Sequence, residues 1–234
     1  NYVLFVNFED FNRRISDLIK EFAYEELTFF SGYDCDSLAL ETITGFVSQI
    51  LPFFLKHPSA LLEIRTKSIQ IKPILSHPPL QNCIIAYSLM PEAMARVLDN
   101  KTPSINQRIS AILKLTEKGW KVGLRFDPLI YGEDWKNNYE NLLHSVFSII
   151  PGDAIHSVTY GSLRFPNAMY KTITKMYPED PLFSGPMVLK GGVMSYNKLI
   201  ENEMTDYCTQ IAKTYVSQTK IFSCFSKPQE LRPQ

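Results

Sequence analysis

Hydroxyl, acidic and thiol side chains follow a short apolar run near the start of this 234-residue chain. Leu27–Phe30 is apolar, Ser31 and Gly32 break the run, and Tyr33–Asp36 then brings a phenol, two carboxylates and a thiol. A helix-like pattern starts directly afterwards. A strand that stops at a glycine and passes into a helix exposes backbone N–H groups and polar side chains at one end of a sheet. We interpret this segment as the first corner of a site.

Polar side chains also follow the later strands that the sequence predicts. The sets at the strand ends are Ser31–Asp36, Thr66–Ser68, Ser88–Met90, Asp127 and Tyr160–Arg164. In a parallel β/α fold the carboxyl ends of the strands converge on the active site. This mixed set could clamp a ligand that carries carboxylate and ammonium groups, or one that carries phosphates. It contains one lysine, one arginine, several hydroxyls, a few acids and one thiol.

Several of these side chains have other interpretations. Lys67 could cap the start of a helix or reach solvent. Asp36 is as typical of a helix N-cap as of a ligand contact. Arg164 could pair with a neighbouring acid. Glu63 and Asp127 could be the carboxylate pair of a barrel hydrolase, although Glu63 lies in the middle of a predicted strand.

Apolar runs and turn signals predict six strands that alternate with helices. The strands are Leu27–Phe30, Leu61–Thr66, Cys83–Ser88, Lys121–Asp127, Ile155–Tyr160 and Lys220–Phe225. The main helices are Phe8–Tyr24, Leu38–Leu55, Pro91–Leu98, Ile105–Lys118, Trp135–Ile149, Pro166–Met176 and Leu199–Val216. Pro178–Tyr196, broken by prolines and glycines, is interpreted as a long irregular excursion. The alternation predicts an α/β fold of parallel strands with right-handed crossovers, in an open or closed barrel.

Length and charge limit the organisation and the partners. We expect one domain over residues 1–225 and a flexible tail over 226–234. The 24 basic and 24 acidic residues give no electrostatic argument for nucleic acid or an anionic membrane, although they do not exclude a local basic groove. No apolar run approaches the roughly 18 residues of a membrane span. We expect a monomeric, cytoplasmic protein with reduced thiols and no membrane contact.

The spacing of the cysteines gives no metal motif. Cys35, Cys83, Cys208 and Cys224 are too far apart in the sequence for a local zinc or iron–sulfur site. The four histidines are also scattered, and no glycine-rich dinucleotide loop or P-loop is present. We therefore predict no metal ligand within this chain.

Five blocks of sequence carry a resemblance to a known family. They are DSLALETITGF (36–46), EIRTKS (63–68), YSLMPE (87–92), FDPLIYGEDW (126–135) and SLRFP (162–166). Their order and spacing are similar to those of the spore photoproduct lyase-like radical S-adenosylmethionine (AdoMet) proteins. The resemblance runs from about Asn1 to Phe225, nearly the whole chain.

This resemblance implies a fold and a chemistry. The family fold is a partial (β/α)6 TIM-like barrel of parallel strands, in agreement with the six predicted strands. In the family, a [4Fe–4S] cluster gives one electron to AdoMet, and the resulting 5′-deoxyadenosyl radical abstracts a hydrogen atom. The lyases themselves act on a cross-linked thymine dimer in DNA, so DNA is the partner that the resemblance implies.

The resemblance also places the cofactor at the first strand ends. Lys67 matches the family lysine that approaches the AdoMet carboxylate, and Ser88 matches a serine on the next strand that also contacts AdoMet. Cys35 falls where relatives usually have a serine near the cofactor. Ser31 and Gly32 complete the predicted cofactor-binding set.

The catalytic position departs from the family. The lyases carry a cysteine that donates a hydrogen atom to the product radical. Aligned through Asp36 and the Thr44-Gly45 pair, that position holds Tyr33 in this chain, and Cys35 lies two residues away. Tyr33 and Cys35 are therefore the candidate catalytic residues, and thymine-dimer repair as the specific activity stays open.

Five polar residues are candidate substrate contacts. They are Asp127, Tyr160, Arg164, Lys190 and Tyr196. Lys190 lies in a segment that resembles the C-terminal substrate-contacting segment of the lyases. Lysine and arginine there would suit phosphates, and tyrosine would suit a base stack. The alternative is a solvated loop with ordinary charges.

The family's CxxxCxxC cluster motif does not occur in this sequence. A cluster needs neighbouring thiolates. We expect the cluster ligands to lie upstream of Asn1, in a longer protein of which this chain is a fragment. The alternative is a non-catalytic homologue that binds AdoMet or nucleic acid without a cluster.

Overall fold

Six parallel strands form the main sheet of the computed structural model, which describes residues 7–32, 35–183 and 185–223. The strands are β1 (Leu27–Ser31), β2 (Ala60–Thr66), β3 (Cys83–Ser88), β4 (Lys121–Leu129), β5 (Ile155–Ser162) and, last in the chain, β9 (Ile221–Ser223). Their order is β1-β2-β3-β4-β5-β9, and every neighbouring pair is parallel. The sheet curls into a half barrel, which confirms the predicted α/β partial barrel.

Nine α-helices are found among the described residues. They are α1 (Phe8–Glu21), α2 (Glu41–Thr44), α3 (Phe46–Leu55), α4 (Lys72–Leu75), α5 (Glu92–Leu98), α6 (Ile105–Glu117), α7 (Trp135–Ile149), α8 (Asn167–Met176) and α9 (Lys198–Ala212). Ser104 begins α6 with a capping box that Gln107 completes. None of the helices in the described ranges is long and apolar enough to cross a membrane.

The segment predicted as an irregular excursion is partly a second sheet. The strands β7 (Met187–Lys190) and β8 (Val193–Tyr196) form a hairpin, and β6 (Arg164–Pro166) pairs with β8 on its other side. Both pairings are antiparallel. The sequence does contain a hairpin signal, because Gly191-Gly192 lies between two short apolar runs.

Other predicted boundaries were also wrong. Helix α1 ends at Glu21 and not at Tyr24, and α9 ends at Ala212 and not at Val216. The predicted helix Leu38–Leu55 is divided at Gly45, whose left-handed backbone (φ 58°) ends α2 before α3 begins. Strand β4 does not end at Asp127 but continues to Leu129, with a shift of register against β5 beyond Phe126. The predicted tail 226–234, Tyr33 and Cys224 lie outside the described residues.

One hydrophobic core lies between the sheet and its helices. Alternate side chains of the central strands enter it, among them Leu62 and Ile64 from β2 and Leu124 and Phe126 from β4. Because successive side chains of a strand point to opposite faces, the residues between them project from the other face of the sheet. That other face carries charged side chains.

Candidate active site

The loop after β1 is folded tightly against the end of β2. The amide of Ser37 donates to the carbonyl of Arg65 at 3.1 Å, and the hydroxyls of Ser31 and Ser37 are 2.8 Å apart. Gly32 has a φ of 79°, and a Cβ there would lie 2.7 Å from the Arg65 carbonyl oxygen. Only glycine therefore fits this point without displacing the loop.

Asp36 holds this loop to the residues that follow β2. Its Oδ1 accepts from the Leu38 amide at 2.9 Å and from the Thr66 hydroxyl at 2.7 Å, and its Oδ2 accepts from the Lys67 amide at 2.6 Å. Hydrogen bonds to a charged acceptor are stronger than neutral ones. The N-cap interpretation of Asp36 was wrong, because α2 begins only at Glu41 with Leu40 as its N-cap residue; Asp36 instead ties the loop to the end of the next strand.

Lys67 neither caps a helix nor extends freely into solvent. Its ammonium group pairs with Asp99, which lies directly after α5, and 32% of the Lys67 side-chain surface is exposed. Asp99 also accepts from Arg108 at 2.9 Å, and Arg108 donates to the carbonyl of Ser88 at 3.0 Å. Lys67 and Ser88, on neighbouring strand ends, are thus linked through one buried network.

A buried ion cluster occupies the face of the sheet opposite the helices. Glu63 accepts from Arg125 at 3.1 and 2.6 Å and from Arg65 at 3.1 and 2.8 Å. Arg125 also donates to the hydroxyl of Ser157 at 2.9 Å. Burial alone would raise the pKa of Glu63, but the two guanidinium groups outweigh it and hold the pKa below its usual value.

A glycine and an aromatic ring shape this cluster. A Cβ on Gly123 would lie 2.5 Å from a guanidinium nitrogen of Arg125, so the missing side chain makes room for the arginine. Arg65 lies 5.7 Å from the ring centre of Phe30, and 53% of the Phe30 surface is exposed. The open face of the sheet therefore presents an aromatic ring beside a guanidinium group.

The carboxylates of the hydrolase hypothesis are both engaged by arginines. Glu63 carries the pairs with Arg65 and Arg125, and Asp127 accepts two 2.9 Å hydrogen bonds from Arg164. Glu63, whose pKa is held below its usual value by two guanidinium groups, is a poor general acid. The geometry does not favour a pair of hydrolytic carboxylates.

The candidate substrate residues divide into two groups. Asp127 and Arg164 form the ion pair just described, so Arg164 does pair with a neighbouring acid, as its alternative interpretation predicted. Lys190, in the hairpin, donates to the carbonyl of Tyr196 and lies 3.0 Å from a carboxylate oxygen of Glu201. Arg164 and Lys190 both lie in the second sheet, so the fold brings these charges to one region.

The two candidate tyrosines are buried instead. The Tyr160 ring stacks on Phe126, and its hydroxyl donates to the carbonyl of Cys208 at 3.2 Å. The Tyr196 hydroxyl accepts from the amide of Tyr131 at 3.0 Å. Burial raises the pKa of both phenols, that of Tyr196 to about 12. Base stacking by these rings stays a prediction that their packing does not support.

The three described cysteines have different environments. Cys35 is exposed in the loop after β1, whereas Cys83 and Cys208 lie in the core. Burial raises the pKa of Cys83 and of Cys208 to about 12, so both remain thiols at neutral pH. In the part of the chain that the structure describes, no three His, Cys, Asp or Glu side chains come together as metal ligands do.

Comparison with protein families identifies the group to which this fold and sequence belong. A family model described as spore photoproduct lyase matches residues 1–187. The chain belongs to the spore photoproduct lyase family. This confirms the family that the five sequence blocks indicate, although the family match ends before the predicted limit near Phe225.

Two spore photoproduct lyases show the extent of the similarity. The protein of Clostridium acetobutylicum is 22% identical over 220 residues, which is 93% of this chain and 64% of the relative. The protein of Bacillus subtilis is 22% identical over 180 residues, which is 76% of this chain and 53% of the relative. The chain thus spans less than two thirds of the length of either lyase.

Solved structures of the family share the fold. A spore photoproduct lyase double mutant with bound AdoMet and dinucleoside spore photoproduct superposes with a TM-score of 0.84 at 18% identity. The match covers 95% of this chain and 67% of that one. A spore photoproduct lyase complexed with dinucleoside spore photoproduct gives a TM-score of 0.83 over 95% of this chain.

Sequence reasoning missed two networks of this spore photoproduct lyase homologue. It treated Glu63 only as a hydrolase candidate and did not single out Arg65 or Arg125. Charged residues within otherwise apolar strands were the available signal, because buried charges are rarely unpaired. Asp99 and Arg108 gave no such signal, since charges in and beside helices are usually solvated.

Proposed function

We propose that this protein binds AdoMet at the carboxyl ends of β1, β2 and β3 and acts as a radical AdoMet enzyme on a nucleic-acid lesion or a related substrate. The observation that carries the proposal is the partly exposed side chain of Lys67, linked through Asp99 and Arg108 to Ser88 at the adjoining strand end, in a member of the spore photoproduct lyase family. Ligands of parallel β/α folds bind at this edge of the sheet.

The residues present fit AdoMet. Lys67 offers a cation to the α-carboxylate, and the hydroxyls of Ser31 and Ser88 offer hydrogen bonds to its polar groups. Because Gly32 has no Cβ to clash with the Arg65 carbonyl, the loop backbone can lie close to β2. The donors are therefore concentrated at the first three strand ends, with Cys35 exposed beside them.

When bound, AdoMet supplies the group that abstracts a hydrogen atom in this family. The role of this chain's own residues is to bind and orient it: Lys67 holds the carboxylate, and Asp36 fixes the backbone of Lys67. The residues that the structure describes do not fit a [4Fe–4S] cluster, because three adjacent thiolates are not found among them. No step through a cluster is derived from them.

The substrate is proposed to lie against the charged face and the second sheet. Arg164 and Lys190 are the cations that would contact phosphates there, while Phe30 beside Arg65 offers a surface for a base. On the same face, in register with Arg125, the hydroxyl of Thr159 is buried and has no partner within the described residues. A related family member has been solved with AdoMet and dinucleoside spore photoproduct together, which supports a lesion as the substrate class.

Calorimetry with AdoMet tests the binding proposal. The chain should bind AdoMet, and Lys67→Met should weaken binding by about tenfold, as expected for a lost charge-assisted hydrogen bond. Lys72→Met, at the nearby exposed start of α4, is the matched control and should bind as the wild type does. Absence of AdoMet binding by the wild type would contradict the proposal.

The catalytic part needs a separate experiment. Protein from the complete coding sequence, reconstituted anaerobically with iron and sulfide, should release 5′-deoxyadenosine from AdoMet on reduction, with lesion-containing oligonucleotide as substrate. Binding of AdoMet without any 5′-deoxyadenosine would instead favour the second candidate, a non-catalytic AdoMet-binding homologue. The observation that favours this second candidate is that the described residues contain no group of neighbouring thiolates.

A further inference from the structure

Arg108 is a fully buried cation that is hydrogen-bonded both to Ser88 and to Asp99, the partner of Lys67. Its side chain has an exposure of 0%, and it projects from α6. It donates to the carbonyls of Pro103 and Ser88, both at 3.0 Å, to the Thr102 hydroxyl at 2.6 Å and to Asp99 at 2.9 Å. A buried guanidinium needs such acceptors, and here one of them belongs to a predicted AdoMet contact.

Asp99 connects Arg108 to the second predicted contact. One carboxylate oxygen accepts from Arg108 and the other accepts from the ammonium group of Lys67. Its side chain is only 7% exposed, whereas that of Lys67 is 32% exposed. The ion pair therefore has a buried, fixed side and an accessible side.

Lys67 is the accessible cation of this network. Two cations, Arg108 and Lys67, share the single carboxylate of Asp99, and of the three side chains that of Lys67 is the most exposed. A free lysine side chain loses rotamer freedom when it binds a ligand. A lysine that is already held by a buried carboxylate loses less, and its amine points in a fixed direction.

We propose that Asp99, itself fixed by Arg108, is a positioning residue that orients Lys67 beside Ser88 for the carboxylate of AdoMet. This inference rests on the proposed function, because it concerns the same cofactor. It differs from a purely structural role of the network, which would join α5 to α6 without any preference for a ligand carboxylate.

A comparison of two ligands separates these roles. AdoMet carries an α-carboxylate, an α-ammonium group and a sulfonium, whereas 5′-methylthioadenosine has the adenosine and a neutral thioether without the amino-acid part. Asp99→Ala should weaken AdoMet binding by about tenfold, the cost expected when a charge-assisted contact loses its orientation, and leave 5′-methylthioadenosine binding unchanged. An equal loss for both ligands, or no loss for AdoMet, would overturn the proposal.

Two further variants complete the design. Asp99→Asn keeps one carbonyl oxygen, so it should weaken AdoMet binding by only about threefold, again without effect on 5′-methylthioadenosine. If Asp99→Ala does not fold, Asp99→Asn serves for the same comparison of AdoMet with 5′-methylthioadenosine. In a Lys67→Met background, Asp99→Ala should cause no further loss, and an additive loss would contradict the positioning role. Asp206→Ala, at an exposed position of α9, is the control.

A chemical readout is independent of AdoMet. Asp99→Ala should increase acetylation of Lys67 relative to Lys72, measured by peptide mass spectrometry after brief labelling of the folded protein, because the paired amine is released. Unchanged labelling of Lys67 would overturn the inference. If the wild type binds neither ligand, the proposed function fails, and the labelling still decides whether Asp99 holds the lysine.

Discussion

The carboxylate of Asp36 accepts a 2.6 Å hydrogen bond from the backbone amide of Lys67, across 31 residues of sequence. Asp36 lies in the loop after β1, and Lys67 directly follows β2. This contact fixes the loop that carries Cys35 to the strand end that carries the candidate cofactor lysine. The two corners of the candidate site therefore form one structural unit.

Asp36→Ala should lower the free energy of unfolding by about 2 to 4 kcal/mol, because three donors lose a charged acceptor. It should also weaken AdoMet binding, since the Lys67 backbone is no longer fixed. Urea denaturation and calorimetry measure the two effects. Asp10→Ala, which removes an exposed ion pair with Arg13 and an exposed hydrogen bond from Asn7, should change stability by about 0.5 kcal/mol or less. Equal effects of the two substitutions would argue against the role of Asp36.

Gly32→Ala should destabilise the protein by about 1 to 3 kcal/mol, because φ is positive and the new Cβ meets the Arg65 carbonyl and the Ser37 hydroxyl. Gly132→Ala is the matched control: a Cβ there has no atom within 4 Å. Thermal denaturation of both variants measures the difference. A Gly32→Ala protein as stable as the control would show that the loop can rearrange.

Glu63→Gln should cost about 3 to 5 kcal/mol of stability at pH 7, because two arginines lose their buried counter-charge. The pKa of Glu63 is lowered in the folded state from 4.5. Its stabilisation is therefore complete above pH 4.5 and is lost as the pH falls below 4.5 through the folded-state pKa. The stability difference between wild type and variant should shrink over that acid range.

Denaturant titrations of wild type and Glu63→Gln at several pH values check this dependence. Glu117→Gln, an exposed acid on α6, is the control and should differ little from the wild type at any pH. A difference for Glu63→Gln that stays constant below pH 4.5 would contradict the assignment of the ion cluster.

Among the three described cysteines, Cys35 should react first with iodoacetamide in the folded protein. Cys35 is exposed, whereas burial excludes the reagent from Cys83 and Cys208 and raises the pKa of each to about 12. Peptide mass spectrometry after short labelling should find Cys35 modified and the other two unmodified until denaturant is added. Equal labelling of all three would show that the core opens under native conditions.

The main sheet could be predicted because its strands are local patterns. The strand Cys83–Ser88 was predicted with both ends correct, and the described ends of the other five strands lie within two residues of the prediction. The hairpin Met187–Tyr196 was missed because its strands are only four residues long and its turn glycines were interpreted as breaks. Short strands depend on pairing partners for stability, which a local window does not contain.

The sequence by itself determined the alternation of strands and helices, the family, and the strand ends where Lys67 and Ser88 lie. The tertiary structure alone decided which charges meet. Glu63 and Arg125 are 62 residues apart, and Lys67 and Asp99 are 32 apart, so neither pair is visible as a local pattern. Strand register and helix packing bring them together, and burial then requires that each charge be paired.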